Sequence, residues 1–174
     1  MTYLVGLGSN LGNRRRNLAQ ARARLERAGV EVLRASAVYE TEPVGVAGQP
    51  WFLNQVLEVR TDVTPQEFLD LAKTIERGLK RVVTADKGPR TIDIDLLLAG
   101  ETVIDTPGLT IPHPRLAQRN FVLVPLAEIA PGAVHPVLRR TVRELLCLSR
   151  DTSRVEKAGG RTARKGTCRF KTRF

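Results

Sequence analysis

The stretch Thr91-Ile-Asp-Ile-Asp-Leu-Leu-Leu98 constrains this chain more than any other. Read as a strand, it sends Ile92, Ile94, Leu96 and Leu98 to one face and Asp93 and Asp95 to the other. The apolar face belongs in a core. The acidic face presents two carboxylates about 7 Å apart, and like charges on one sheet face need compensation. Arginines are one source of it: Arg90 lies three residues before Asp93, and Arg81 ends the preceding helix. A hard cation is the other. Magnesium takes oxygen ligands and leaves room for water and phosphate oxygens, and two such ions can clamp the attacking and leaving oxygens of a phosphoryl transfer. Arginine forks suit phosphate oxygens, and phosphoryl transfer needs its developing charge neutralised.

The rest of the chain supplies partners for that strand. Tyr3 to Leu7 is an apolar run ending in Gly8-Ser-Asn-Leu-Gly12, a strand entering a loop. Asn13 is placed to cap a helix with Leu18, Ala21, Leu25 and Ala28 on one stripe, and Gly29 ends it. Val30 to Tyr39 reads as a second strand and Trp51 to Arg60 as a third, with Leu53, Leu57 and Val59 on one face and Phe52, Asn54, Val56 and Glu58 on the other. Thr64-Pro-Gln-Glu67 is a capping box with proline at the first helical position, followed by the stripe Phe68, Leu71, Ala72, Ile75 and Leu79. The order strand–helix–strand–strand–helix–strand predicts an α+β fold of the ferredoxin-like kind: an antiparallel sheet, both helices on one face, the other face open to a ligand. C-terminal additions follow, namely a short strand at Thr102–Ile104, an apolar segment at Phe121–Ile129 and a helix near Val142–Leu148.

Charge separates the domain from a tail. Residues 151–174 hold eight Lys/Arg against two acids, whereas residues 1–150 hold 20 against 16, within a formal charge of +10. The expected division is a domain over 1–150 and a basic, disordered tail over 151–174. No segment approaches the run of about 20 apolar residues that a membrane span needs, so no membrane partner is expected and the cytoplasm is the expected location. Nucleic acid is not the expected partner, except weakly through the tail, because Asp93 and Asp95 on a binding face repel phosphate unless metals intervene. No G-x-x-x-x-G-K-[ST] loop occurs. Leu11 stands where a dinucleotide fingerprint starting at Gly6 needs its third glycine. Gly6, Gly8 and Gly12 are therefore expected to permit a tight strand-to-helix turn.

Taken together, Gly8-Ser-Asn-Leu-Gly12, Tyr39-Glu-Thr-Glu-Pro-Val-Gly45, Gln49-Pro-Trp-Phe-Leu-Asn54, Gly88-Pro-Arg-Thr-Ile-Asp-Ile-Asp-Leu-Leu97, Ile111-Pro-His-Pro-Arg115, Arg119-Asn-Phe121 and Pro125-Leu126 stand in the order seen in one enzyme family. Over residues 2–148 the chain resembles 6-hydroxymethyl-7,8-dihydropterin pyrophosphokinases. The resemblance implies transfer of pyrophosphate from ATP to the pterin hydroxymethyl group, yielding AMP, in folate biosynthesis. It implies that Asp93 and Asp95 hold two magnesium ions and that Arg81 and Arg90 engage the phosphates. Glu76, Arg90, Leu96, Thr110, His113 and Arg119 are then expected to line the ATP site. Phe52 and Phe121 are expected to sandwich the pterin, Asn54 to hydrogen-bond its edge, and the backbone at Thr41, Glu42 and Val44 to read its other polar atoms. One departure stands out: Asp86-Lys87 replaces the Arg-Trp that commonly precedes Gly88 in the family.

Overall fold

The structure is a computed structural model that describes residues 1–43, 48–79 and 88–159. Within these, β1 (Thr2–Ser9) leads to α1 (Arg14–Arg27), then β2 (Glu31–Ala35), β3 (Tyr39–Thr41), β4 (Phe52–Arg60), α2 (Pro65–Gly78) and β5 (Asp93–Leu98). The additions are β6 (Ile104–Thr106), β7 (Leu109–Ile111), a 3-10 turn at Leu116–Gln118, α3 (Asn120–Ile129), β8 (Val134–His135), β9 (Arg140–Thr141), α4 (Val142–Leu148) and β10 (Val155–Lys157).

Local chemistry explains the helix starts. The Asn13 side chain accepts from Arg16 N at 3.0 Å and so caps α1. Thr64 and Glu67 exchange both capping-box bonds at the start of α2, as Thr141 and Glu144 do for α4. Gly29, with φ +84°, turns the chain out of α1.

The main sheet runs β10-β3-β4-β1-β5, with β2 also paired to β4, and every pair is antiparallel. The expected strand at 30–39 is split. At Ser36 the side-chain hydroxyl accepts from Val56 N at 3.0 Å while Ser36 N donates to Val56 O, so the chain steps off the regular ladder and rejoins it at Tyr39.

Helices α1 and α2 cover one face as expected. Leu18, Ala21, Leu25, Phe68, Ala72 and Ile75 pack there on Tyr3, Val5, Leu7, Leu57, Ile92, Ile94 and Leu96. The other face is not wholly open, which corrects the sequence expectation. Leu4, Val56, Leu97 and Leu98 are apolar at one end of it, and α3 and α4 bury them with Leu123, Leu126, Val142 and Leu145. Only the end that carries the acids and glycines stays uncovered. Leu98 also departs from its expected face. The β1–β5 register shifts between Leu4 and Val5, leaving Leu97 as an extra residue, so Leu97 and Leu98 both join the second core.

The expected tail boundary at 150/151 does not hold for residues 151–159. Val155, Glu156 and Lys157 pair with Thr41, Glu40 and Tyr39, and Asp151 bonds Asn120. Backbone pairing on an open sheet edge and charged contacts order this segment despite its low apolar content. Residues 160–174, where most of the tail's charge lies, are outside the described residues. No helix among the described residues is long and apolar enough to cross a membrane.

Candidate active site

The middle of β1 explains where the site forms. Gly6 faces Val56 on one side and Asp95 on the other, and Gly8 faces Asn54 and Asp93. These two glycines lie in regular strand and not in a turn, contrary to the sequence expectation; the turn glycine is Gly12, with φ +62°. Lacking side chains, they open a furrow along the sheet between β4 and β5. A Cβ on Gly8 would stand 2.8 Å from Asn54 Oδ1, and one on Gly6 would touch Leu97 at 3.5 Å. The furrow is the floor of an open cleft of about 850 Å³, whose walls include Thr41, Glu42, Phe52, Asn54, Arg90, Asp93, Asp95, Arg119 and Phe121.

One wall is acidic and basic by turns. Arg90 Nη1 donates to Asp93 Oδ2 at 2.5 Å. Asp95 is pushed up to about 7, first by burial, then by the charges of Asp93 and Glu76, against the pull of Arg119 and Arg90. Arg119 is held below the usual guanidinium range, chiefly by burial and by Arg115, and lies over the Phe121 ring at 5.4 Å. His113 is lowered to about 4 by burial and then by Arg119 and Arg115. It is therefore neutral near pH 7. Its Nδ1 accepts from Arg115 N at 3.1 Å, so Nε2 carries the proton.

The other wall is aromatic. Phe52 opens β4 and Phe121 is the second residue of α3; both rings are half-buried and face the cleft from different elements. Asn54 is buried between them and the floor, and its amide donates to Thr41 Oγ1 at 2.7 Å.

The remaining expected residues lie around this cleft. Glu76 is buried on α2, behind β5, where Oε1 accepts from Ile94 N at 2.8 Å and caps the strand's outer edge. Leu96 is buried toward the helices, so only its backbone is in reach of a ligand at that edge. Thr110 sits on β7 and donates to Asp105 Oδ1 at 3.3 Å. His113 N donates to Leu97 O at 2.9 Å, which fastens its loop to β5. The Glu42 amide donates to Arg154 O at 3.1 Å, and Glu42 lines the cleft. Arg81, Val44 and the Asp86-Lys87 pair lie outside the described residues.

Sequence reasoning missed what holds Arg90. Asn10 Oδ1 accepts from Arg90 N at 2.7 Å and Asn10 N donates to Arg90 O at 3.1 Å, while Asn10 Nδ2 reaches Gln49 Oε1 and Pro50 O. Ser9 Oγ donates to Thr91 O at 2.6 Å. The Gly8-Ser-Asn10 run is thus a clamp on the loop that enters β5. Its signal was a polar pair, Ser-Asn, directly after a buried strand. Among the described residues no group of three or more His, Cys, Asp or Glu forms a ready metal cage. The pair Asp93/Asp95 is two carboxylates only, the donor set expected where substrate phosphates supply the remaining oxygens.

Known proteins resemble this chain over most of its length. The 7,8-dihydro-6-hydroxymethylpterin-pyrophosphokinase (HPPK) family matches residues 4–131. The 2-amino-4-hydroxy-6-hydroxymethyldihydropteridine pyrophosphokinase of Bacillus subtilis is 47% identical over 126 residues, 72% of this chain and 75% of that protein. Its namesake in Aquifex aeolicus is 41% identical over 143 residues, 82% of this chain and 89% of that one. The folic acid synthesis protein fol1 of Pneumocystis carinii is 43% identical over 133 residues, but this chain spans only 18% of its length. Among solved structures, Plasmodium falciparum HPPK-DHPS with pteroate has a TM-score of 0.68 at 18% identity, over 83% of this chain and 41% of that one, a likeness of fold. The chain belongs to the 7,8-dihydro-6-hydroxymethylpterin-pyrophosphokinase family.

Proposed function

We propose that the cleft is where this ATP-dependent pyrophosphokinase joins its two substrates, with the pterin between Phe52 and Phe121 and the ATP phosphates at Asp93 and Asp95. The reaction is attack by the pterin hydroxymethyl oxygen on the β-phosphorus of ATP, with AMP leaving. The observation that carries this reading is the placement, in one cleft, of two half-buried phenyl rings beside a carboxylate pair whose charge the protein only partly offsets. A flat heteroaromatic ring stacks well on such rings. Asn54, turned by its bond to Thr41, is held at the floor for the ring's polar edge.

The carboxylates fit magnesium. Burial and mutual repulsion make Asp95 reluctant to ionise without a cation, and both acids share one face of β5. Asp93 and Asp95 would hold two magnesium ions, which would supply positive charge to the phosphate oxygens. Arg90, pinned by Asn10, and Arg119, half-buried beside it, supply positive charge to the transferring group. Neutral His113 offers its Nε2 proton to a phosphate oxygen without adding charge. Thr110 and the Leu96 backbone border the edge of β5 where adenine would lie, and Glu76 holds that edge in place. Arg81 is assigned to the phosphates from the sequence alone. The cytoplasm remains the proposed location, and nucleic acid has no part in the reaction.

Incubation with ATP, magnesium and hydroxymethyl-dihydropterin tests the reading. AMP release that needs both the pterin and the metal, and that stops on chelation, is the expected result. AMP release indifferent to the pterin would defeat it.

A further inference from the structure

The segment after α4 has no role in the reaction as read above and lies beyond residues 4–131, over which the family description matches. We propose that residues 151–157 are a positioning strap that sets the spacing of the two walls of the aromatic slot, with Asp151 as its principal anchor. This rests on the reading that the slot between Phe52 and Phe121 receives the pterin.

Consider the α3 wall first. Arg119, which precedes α3, makes no side-chain capping bond. Asp151 does that work from 31 residues away: its Oδ2 accepts from Asn120 N at 2.7 Å. The Asn120 side chain returns a bond to Asp151 O at 2.6 Å, and Asp151 Oδ1 accepts from Ser153 N at 2.8 Å. A carboxylate at a helix N-terminus satisfies an otherwise orphan amide and faces the positive end of the dipole. Phe121 directly follows Asn120, so the cap fixes where its ring starts.

The opposite wall is held by the next residues. Arg154 O accepts from Glu42 N at 3.1 Å, and Arg154 N donates to Glu42 Oε2 at 3.2 Å. The Arg154 guanidinium lies 5.4 Å from the centre of the Trp51 ring, next to Phe52. β10 then pairs with β3, placing Val155 opposite Thr41, whose hydroxyl orients Asn54. Finally Lys157 Nζ donates to Glu128 Oε1 on α3 at 2.9 Å, while Glu128 Oε2 accepts from Tyr39 OH at 3.0 Å and Ala37 N at 2.9 Å. Each anchor therefore ties α3 or the β3–β4 side to the same short segment. β3 is only three residues long, and without β10 it would be a bare sheet edge.

The test uses the full chain and three variants, D151A, D151N and R154A, with F52A as a control on the slot. The readouts are pterin KM, kcat, the Kd of a non-hydrolysable ATP analogue, and Tm. D151A is expected to raise pterin KM about tenfold, the size of a lost helix cap, with the analogue Kd within about twofold of wild type. D151N keeps an acceptor and is expected to restore most of the loss. R154A leaves α3 capped and removes the contact with Trp51 and the ion pair with Glu156, so about a threefold rise is expected. Equal weakening of pterin and nucleotide, or a lower Tm with unchanged pterin KM in both D151A and R154A, overturns the strap. If F52A raises pterin KM and these variants do not, the strap alone is refuted. If F52A also leaves it unchanged, the slot is misread and the proposal falls with it.

Discussion

Asn54 Oδ1 lies 2.8 Å from the point a Cβ on Gly8 would occupy, closer than two such atoms can approach. The bare backbone of β1 at Gly8 is therefore what lets the amide sit on the floor of the cleft with its nitrogen on Thr41 Oγ1.

Gly8→Ala is expected to displace Asn54 and break its bond to Thr41. The penalty for disturbing a buried amide, roughly 1–3 kcal/mol, predicts a pterin affinity weakened about five- to 150-fold while nucleotide affinity holds. Calorimetric titration of pterin and of an ATP analogue separates the two. Equal affinities in G8A and wild type would show that the furrow is not used.

Asp95→Asn removes one of two like charges on β5. AMP formation is expected to fall by roughly three orders of magnitude, the scale of several kcal/mol of lost charge stabilisation. The metal-free variant is nonetheless expected to melt no lower than wild type, because the burial and repulsion that push Asp95 up are relieved. Activity assays and thermal melts in chelator check both halves.

The same carboxyl makes a pH prediction. Its folded pKa, about 7, lies above its unfolded value, so the folded state binds more protons between about pH 4 and 7. Its contribution to stability is then greatest at acid pH and declines as pH rises through that window. Comparing metal-free wild type with D95N cancels the other groups: the melting temperatures should converge near pH 4 and diverge, in favour of D95N, by pH 8. Magnesium should raise the wild-type melting temperature more at pH 8 than at pH 5.5, where protons compete for the site.

His113 has the opposite sign. Lowered to about 4 in the fold, it must take up a proton on unfolding below its ordinary value near 6.5. The stability it contributes is whole above that value and is lost as pH falls toward 4. H113Q should therefore lose less stability than wild type between pH 7 and 4.5, read from denaturant midpoints.

Asn10→Ala should act at a distance. It removes the acceptor for Arg90 N and two bonds across to Gln49 and Pro50 from a residue only 2% exposed. A cost of about 2–3 kcal/mol, or a Tm lower by roughly 5–10 °C, is expected. With Arg90 no longer pinned, kcat should fall as well. Melts and steady-state kinetics on the same sample check this.

Much of this was legible without coordinates. Period-two alternation determined that Asp93 and Asp95 share a face of β5, and the motifs Thr64-Pro-Gln-Glu67 and Asn13 determined where α2 and α1 begin, because these depend on neighbours within a few residues. The order of strands and helices determined the antiparallel sheet and its helix-covered face. Only the tertiary structure decided the rest. That Gly6 and Gly8 are a furrow and not a turn depends on which strands flank β1. That the second face is half covered depends on α3 and α4 folding back over Leu4, Val56, Leu97 and Leu98. That Asp151 caps α3, and that a polar segment with little apolar material is ordered, depends on partners between 31 and more than 100 residues away. Periodicity and capping act through adjacent bonds and can be read along the chain; a missing side chain or a borrowed cap takes its meaning from atoms that only folding brings near.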